Sequence, residues 1–260
     1  MIRDLAELYR HRELLWIWIL REIRVRYKQS ILGAGWAIIQ PLVLMIVFSV
    51  IFSFLVPIST SGIPYPVFSY AAVLPWTFLA STITFGIPSL INNFNLVTKS
   101  YFPREILPIG ALGVGFLDYL IASTIFAVLL AGYRMPVNTT ILWVPLILLL
   151  QILLMLGVTL LGSALVIRYR DIRFLVPLGL QLWFFATPVI YPLSVVPERL
   201  LPFYLLNPMA GLIEAYRAVF LASEPPSPGL LSFAAVFSVV TFIIGYGVFK
   251  RLEVSFADII

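Results

Sequence analysis

The chain has 260 residues, 61% of them hydrophobic and 11% charged, with a mean hydropathy of +1.03 and a formal charge of +5. Such a balance excludes an ordinary soluble domain and identifies an integral membrane protein. The basic excess does not point to nucleic acid either, because the cations flank apolar segments instead of forming a binding face; anionic lipid headgroups suit them better.

Residues 1–30 carry Arg3, Arg10, Arg12, Arg21, Arg24, Arg26 and Lys28 against Asp4, Glu7, Glu13 and Glu22. The apolar run inside them, Leu14 to Leu20, is too short to cross a bilayer, and Arg21 follows at once. This pattern predicts an amphipathic helix lying in the membrane interface, with Trp16 and Trp18 at headgroup depth. A secretory signal peptide is the rival reading. It fails because basic residues continue past the apolar run and no small-residue cleavage site follows. The single histidine, His11, belongs to this solvated helix and not to a metal site, and the absence of cysteine removes disulfide, iron–sulfur and Cys–zinc chemistry.

Residues 31–260 read as one permease-like domain of six spans. From Gln29 to Thr98 there is no Asp, Glu, Lys or Arg, which leaves room for two spans of roughly 20 residues each. The spans are predicted over about 35–56, 67–91, 109–132, 142–167, 174–191 and 230–249, with Gly33 and Gly35 as the hinge out of the interfacial helix. All Lys and Arg except Arg134, Arg199 and Arg217 then fall on one side. The positive-inside rule makes that side cytoplasmic, together with both termini and the loop 92–108.

Two stretches between spans stand out. The loop 92–108, NNFNLVTKSYFPREILP, is charged and proline-bounded between long apolar runs, which places it at the membrane surface. The stretch 192–229 is irregular and faces the other way. In it Asn207 is a helix cap, Pro208 occupies the first turn, and Leu212, Ile213, Tyr216, Val219 and Phe220 share a face. Glu214 and Arg217 are spaced to pair on the opposite face. This helix is too short to span and predicts an outward re-entrant or interfacial segment.

The chemistry of covalent catalysis is missing. There is no G-x-x-x-x-G-K-[ST] phosphate loop, no H-E-x-x-H and no pair of carboxylates within a span, so the chain is not read as an enzyme and no catalytic or metal-binding residue is assigned. Asp118 is the one acid well inside a predicted span. An intramembrane acid is either a functional group, for example in a proton relay, or a side chain hydrogen-bonded between helices, and the second is favoured because a relay needs more than one titrating group. Aromatic residues inside spans, Phe48, Phe52, Trp76, Trp183, Phe184, Phe185 and Tyr191, offer flat faces on which the C–H surfaces of sugars stack.

Four motifs in order, LGAGWAIIQPL at Leu32 to Leu42, FPREILP at Phe102 to Pro108, RDIRFLVPLGLQLWFFATPVIYP at Arg170 to Pro192 and NPMAGLIEAYR at Asn207 to Arg217, closely resemble the membrane subunit of ABC-type polysaccharide exporters, the O-antigen and teichoic-acid export permeases. The resemblance implies an all-α fold of six transmembrane helices in the bacterial cytoplasmic (inner) membrane. It also implies a homodimer joined to two copies of a separate nucleotide-binding ATPase, which would hold ATP and Mg, and a cargo of glycan on undecaprenyl diphosphate. In that light the loop 92–108 looks like a coupling helix presenting Lys99, Tyr101, Phe102, Pro103, Arg104 and Glu105 to the ATPase, with Pro103 and Pro108 fixing its ends. Arg21, Arg24, Arg26 and Lys28 would meet the lipid diphosphate or headgroups, and the aromatic rings near 183–191 resemble the ring that shapes the channel mouth. Gly110, Gly113, Gly157 and Gly162 would permit the close packing of a homodimer. The alternative from another class is a proton-coupled secondary transporter or lipid flippase working without an ATPase, with Asp118 as its titrating group.

Overall fold

The computed structural model describes residues 7–28, 30–60, 62–99, 101–136, 138–254 and 256; Arg3 and Asp4 of the basic segment lie outside them. Among the described residues every regular element is a helix. Helix α1 is Arg12–Tyr27. A tight turn at Gly33–Gly35 leads into α2, Trp36–Val50, which widens into a π-turn at Ile51–Leu55. Then come α3 (Tyr65–Gly86), the short α4 (Ser89–Asn92) and α5 (Phe94–Lys99), α6 (Ile106–Gly132), α7 (Val144–Arg168), α8 (Ile172–Phe185), α9 (Leu201–Leu205), α10 (Pro208–Arg217) and α11 (Pro228–Glu253). Prolines sit in the first turns of α3, α7, α10 and α11, where the N–H they lack has no partner to lose. Gly33 turns the chain at φ +51, a conformation that glycine adopts without a Cβ penalty.

Among the described residues five helical segments are long and apolar enough to cross a membrane: Gly33–Leu55, Tyr65–Gly86, Ile106–Gly132, Thr139–Arg168 and Pro228–Glu253. The fifth of the six expected spans is shorter than the sequence suggests. Helix α8 has 14 residues, about 21 Å at the helical rise, against a hydrocarbon core of roughly 30 Å. Pro188 is the reason, since the residue before a proline is pushed out of helical geometry, and the chain leaves the helix at Ala186. Thr187 to Ile190 are nevertheless buried. The third span begins earlier than expected, at Ile106, so Pro108 lies within its first turn and does not close the preceding loop.

Helix α3 is the centre of the bundle, with α2, α6, α7, α8 and α10 packed around it. Three polar groups tie it to other elements or bridge them. The Tyr70 hydroxyl donates to the Ala122 carbonyl at 3.0 Å, and the Gln151 amide donates to the Pro75 carbonyl at 2.7 Å. Gln151 in turn accepts from the Tyr216 hydroxyl at 3.0 Å. At membrane depth an unmatched polar group costs several kcal/mol, so these bonds are requirements of the fold.

Helices α7 and α11 touch backbone to backbone. A Cβ added at Gly245 would lie 2.1 Å from the Gly157 carbonyl oxygen, and one at Gly157 would lie 2.6 Å from the Thr241 carbonyl oxygen. Gly110 and Gly113 lie beneath Trp18 and Ile19 of α1, and Gly162 lies beneath Ile87. All four glycines that suggested a homodimer are therefore filled by neighbours in the same chain, and none argues for a second copy. Trp18 is buried against α6 while Trp16 stays exposed, so the two tryptophans face different ways from α1. Gly245→Ala is expected to lower the unfolding midpoint in detergent, an overpacking cost of about 1–3 kcal/mol. Gly247→Ala, whose added carbon meets no atom within 4 Å, leaves the midpoint in place; equal midpoints would refute the close contact.

Candidate functional site

The end of the bundle that carries α1, α4, α5 and the C-terminus of α11 has a hydrophobic core of its own. Trp18, Leu90, Val97, Phe102, Ile106, Leu160, Phe249 and Phe256 are among its buried members. The segment 92–108 is folded over this core and is not a free loop. The Asn93 amide donates to the Ser89 carbonyl at 2.9 Å, and the Asn93 side-chain oxygen accepts from Arg21 at 3.4 Å.

The residues singled out in this segment divide by direction. Lys99 is exposed and Tyr101 is 94% exposed, whereas Phe102 and Pro103 are buried. Glu105, read from sequence as an outward contact, is 1% exposed and paired with Lys250 Nζ at 2.8 Å. Lys250 also pairs with Glu253 at 2.8 Å. The Arg104 guanidinium donates to the Glu253 carbonyl at 2.6 Å and its backbone N–H to the Glu253 carboxylate at 3.3 Å. Burial pushes the Glu105 carboxyl above the usual carboxylate range against the opposing pull of Lys250, and its Oε2 has no hydrogen-bond partner. A cavity of about 480 Å³ lies between this group and Tyr101.

The four basic residues expected to meet the lipid diphosphate, three in α1 and Lys28 just after it, also divide. Arg24 and Lys28 are exposed. Arg21 lies over the Trp18 ring at 4.2 Å. Arg26 faces inward and pairs with Asp118 at 2.8 Å, with Ser81 at 3.3 Å and the Phe85 ring at 4.1 Å as further contacts. The Tyr27 hydroxyl donates to the other Asp118 oxygen. Burial, with Asp118 adding to it, pushes the Tyr27 hydroxyl up to about 12, so it remains a donor at neutral pH. Asp118 is thus bonded between helices, and this latch fixes the end of α1 to the middle of α6. Beside it lies a cavity of about 470 Å³ with Gln40, Trp76, Ser81 and Tyr119 in its wall.

Six of the seven aromatic residues form one cluster. Phe48 stacks on Phe52 and Phe184 (6.3 and 5.9 Å between ring centres), Trp76 meets Trp183 and Phe184 edge-on (5.9 and 5.4 Å), and Phe184 meets Phe185 at 5.3 Å. Tyr191 stands apart, donating to the Phe185 carbonyl at 2.7 Å and facing Tyr204 at 6.3 Å. The cluster is flanked by α2, where only Pro41 and Met45 are buried, and by α8, where no residue is.

At the opposite end Asn207 caps α10, accepting from Met209 N–H at 3.1 Å and Trp183 Nε1 at 2.9 Å while donating to Thr187 at 2.8 Å. Pro208 opens the helix, in which every residue but Glu214 is buried. Arg217 does pair with Glu214 at 2.8 Å, but it points inward and not to an outer polar face. It donates to the Val189 and Tyr191 carbonyls at 2.8 and 3.4 Å and lies over the Phe68 ring at 3.8 Å. Sequence reading missed Lys250, Glu253, Gln151 and Tyr27. Gln151 carried the one usable signal, an uncharged hydrogen-bonding side chain in the middle of a span.

A family model described as ABC-2 type transporter matches residues 13–221, from α1 through the turn after α10. The chain belongs to this family of membrane proteins. The O-antigen export system permease protein RfbA of Myxococcus xanthus is 30% identical, over 99% of both chains. RfbA of Klebsiella pneumoniae is 28% identical over 92% of each, and the polysialic acid transport protein KpsM of Escherichia coli is 24% identical over 90% of this chain and 91% of its own. In this ABC-2 transporter, Asp118→Asn leaves the Arg26 charge without its counter-ion and is expected to cost about 1–3 kcal/mol. The double variant Arg26→Gln/Asp118→Asn should cost less than the single one in detergent unfolding; additive losses would mean the two residues do not act as a pair.

Proposed function

We propose that this chain is the membrane subunit of an ATP-driven exporter of a lipid-linked polysaccharide, acting as a homodimer with two copies of a separate ATPase that binds ATP and Mg. The observation that carries this reading is the segment 92–108. It is held on a private core, with Lys99 and Tyr101 left pointing away from the bundle, as a surface that receives a soluble partner requires. The names of the relatives support polysaccharide as the cargo.

Six crossings with both termini cytoplasmic remain our reading. Helix α8 begins just after Arg168, and the chain beyond it reaches Ile190, whose carbonyl accepts from Tyr65 at the start of α3 at 2.6 Å. That contact supports a crossing completed by irregular backbone buried in protein, the condition under which such backbone is tolerated at membrane depth. Helix α10, buried between α3, α7 and α11, fits a re-entrant segment from the outer face. Exposed apolar faces on α2 and α8 beside the aromatic cluster fit a path shared by two copies, uncharged and able to stack on sugar rings. Arg24 and Lys28 are free to meet the lipid diphosphate.

ATP binding would draw the two ATPases together, move both coupling segments and open the shared path, provided the contacts differ between the two states. The proton-driven alternative has Asp118 as its candidate, and that carboxylate is already engaged by Arg26 and Tyr27. In a pull-down from native membranes the protein should bring an ATPase with it. Tyr101→Asp should weaken that association about tenfold or more, the loss expected of a central aromatic contact, with unfolding in detergent unchanged. Retention by the variant refutes the docking residue, and absence of any ATPase from the unaltered protein refutes the motor.

A further inference from the structure

The docking reading uses what the segment 92–108 presents outward. It leaves unexplained the charges that face inward. Glu105, Lys250, Glu253 and the Arg104 guanidinium form one connected group, with Lys250 at its centre, 2.8 Å from each carboxylate. Stability is a weak reason for such a group, because a buried ion pair roughly breaks even with apolar packing. The apolar core alongside it already holds these elements together. An ionic group adds a defined geometry, and it does so between the coupling segment and the last turn of α11, where the Glu253 carbonyl accepts from the Arg104 guanidinium at 2.6 Å.

Helix α11 leads from this group to the other face. Its 26 residues extend about 39 Å. About two-thirds of the way along, five residues before Lys250, it is fixed to α7 by the Gly157–Gly245 contact, so the two helices form one stiff unit. At its far end Gly211 of α10 packs on it, a Cβ there lying 3.0 Å from the Leu230 carbonyl and 3.3 Å from Ala234. Helix α10 is bound in turn, through Arg217, to the Val189 and Tyr191 carbonyls.

We propose that Lys250 is a positioning residue that clamps the coupling segment to α11, so that movement imposed by the ATPase is delivered along α11 to α10 on the opposite face. This rests on the ATP-driven reading above. Lys250 acts here through its two carboxylate partners, and its removal should disconnect the two ends without preventing either from working.

The test uses the full permease–ATPase complex and two readouts: phosphate release by the purified complex, and periodate-stained surface polysaccharide of cells expressing it, per permease in the membrane. Lys250→Met should still bring down the ATPase and sustain hydrolysis, while surface polysaccharide per ATP hydrolysed falls about tenfold, the size of an ordinary coupling between sites. Lys250→Arg, which keeps the charge, should restore it. If Lys250→Met does not reach the membrane, Glu105→Gln is read instead. It keeps the shape of the side chain and the Lys250–Glu253 pair, and the same uncoupling in milder form is expected. Export at the unaltered level, or hydrolysis and export falling together with the amount of folded protein, overturns the proposal. An unaltered protein that brings down no ATPase overturns it together with the reading on which it rests.

Discussion

Hydrocarbon offers no hydrogen bonds, and this one constraint accounts for the cross-links of the bundle. A polar group carried to membrane depth is costly without a partner, and the larger ones here find theirs on another helix. Tyr70 finds the Ala122 carbonyl, Gln151 bridges Pro75 and Tyr216, Tyr65 reaches Ile190 and Asp118 takes Arg26 and Tyr27. Apolar contacts between helices are hardly better than contacts with lipid, so these bonds, with the glycine seats, specify which helices are neighbours. Arg217 is the most demanding case. Its guanidinium is buried and tolerable there because Glu214, two carbonyls and the Phe68 ring surround it, a set that the forked Arg head suits and an ammonium would not.

Around that frame the molecule is unevenly built. Among the described residues there are two hydrophobic cores, a large one around α3 and a smaller one under the segment 92–108. Helices α2 and α8 belong to neither in full and expose most of their apolar surface. The tightest packing, at α7 and α11, therefore lies apart from the most open face. Motion is cheapest where few contacts are lost, so α2 and α8 are displaced most readily relative to the rest, whereas α7 and α11, in backbone contact, move as one body.

The membrane class and the long helices were legible because runs of apolar residues report burial in lipid directly. The N-terminal helix and the cap at Asn207 were legible for the same local reason, since Trp-flanked short runs and Asn-Pro pairs act within a few residues. The rest depended on contacts between distant parts of the chain. Glu105 reads as an outward loop charge until its partner Lys250 is seen, and nothing near either residue names the other. The glycine positions announce a close approach without naming the helix that approaches, so in the sequence packing inside one chain looks the same as packing between two. Helix α8 was overestimated because hydropathy continues through Ala186 and Thr187, whereas the backbone obeys Pro188.

Helix α3 illustrates a further consequence of this architecture. It is the least apolar of the five long helices and also the most enclosed, with Tyr, Ser, Pro and Thr side chains turned toward its neighbours. Helix α2 is the reverse, strongly apolar and almost wholly bare. During synthesis the ribosome delivers α2 first and α3 next, before α6 and α7 exist to cover it. Helix α2 can rest in lipid unaided, but α3 gains its full set of partners only after more than half the chain has been made. The nascent protein must therefore shelter its future centre at the translocon or against α2 alone, which makes the arrival of α6 the committing event of its biogenesis.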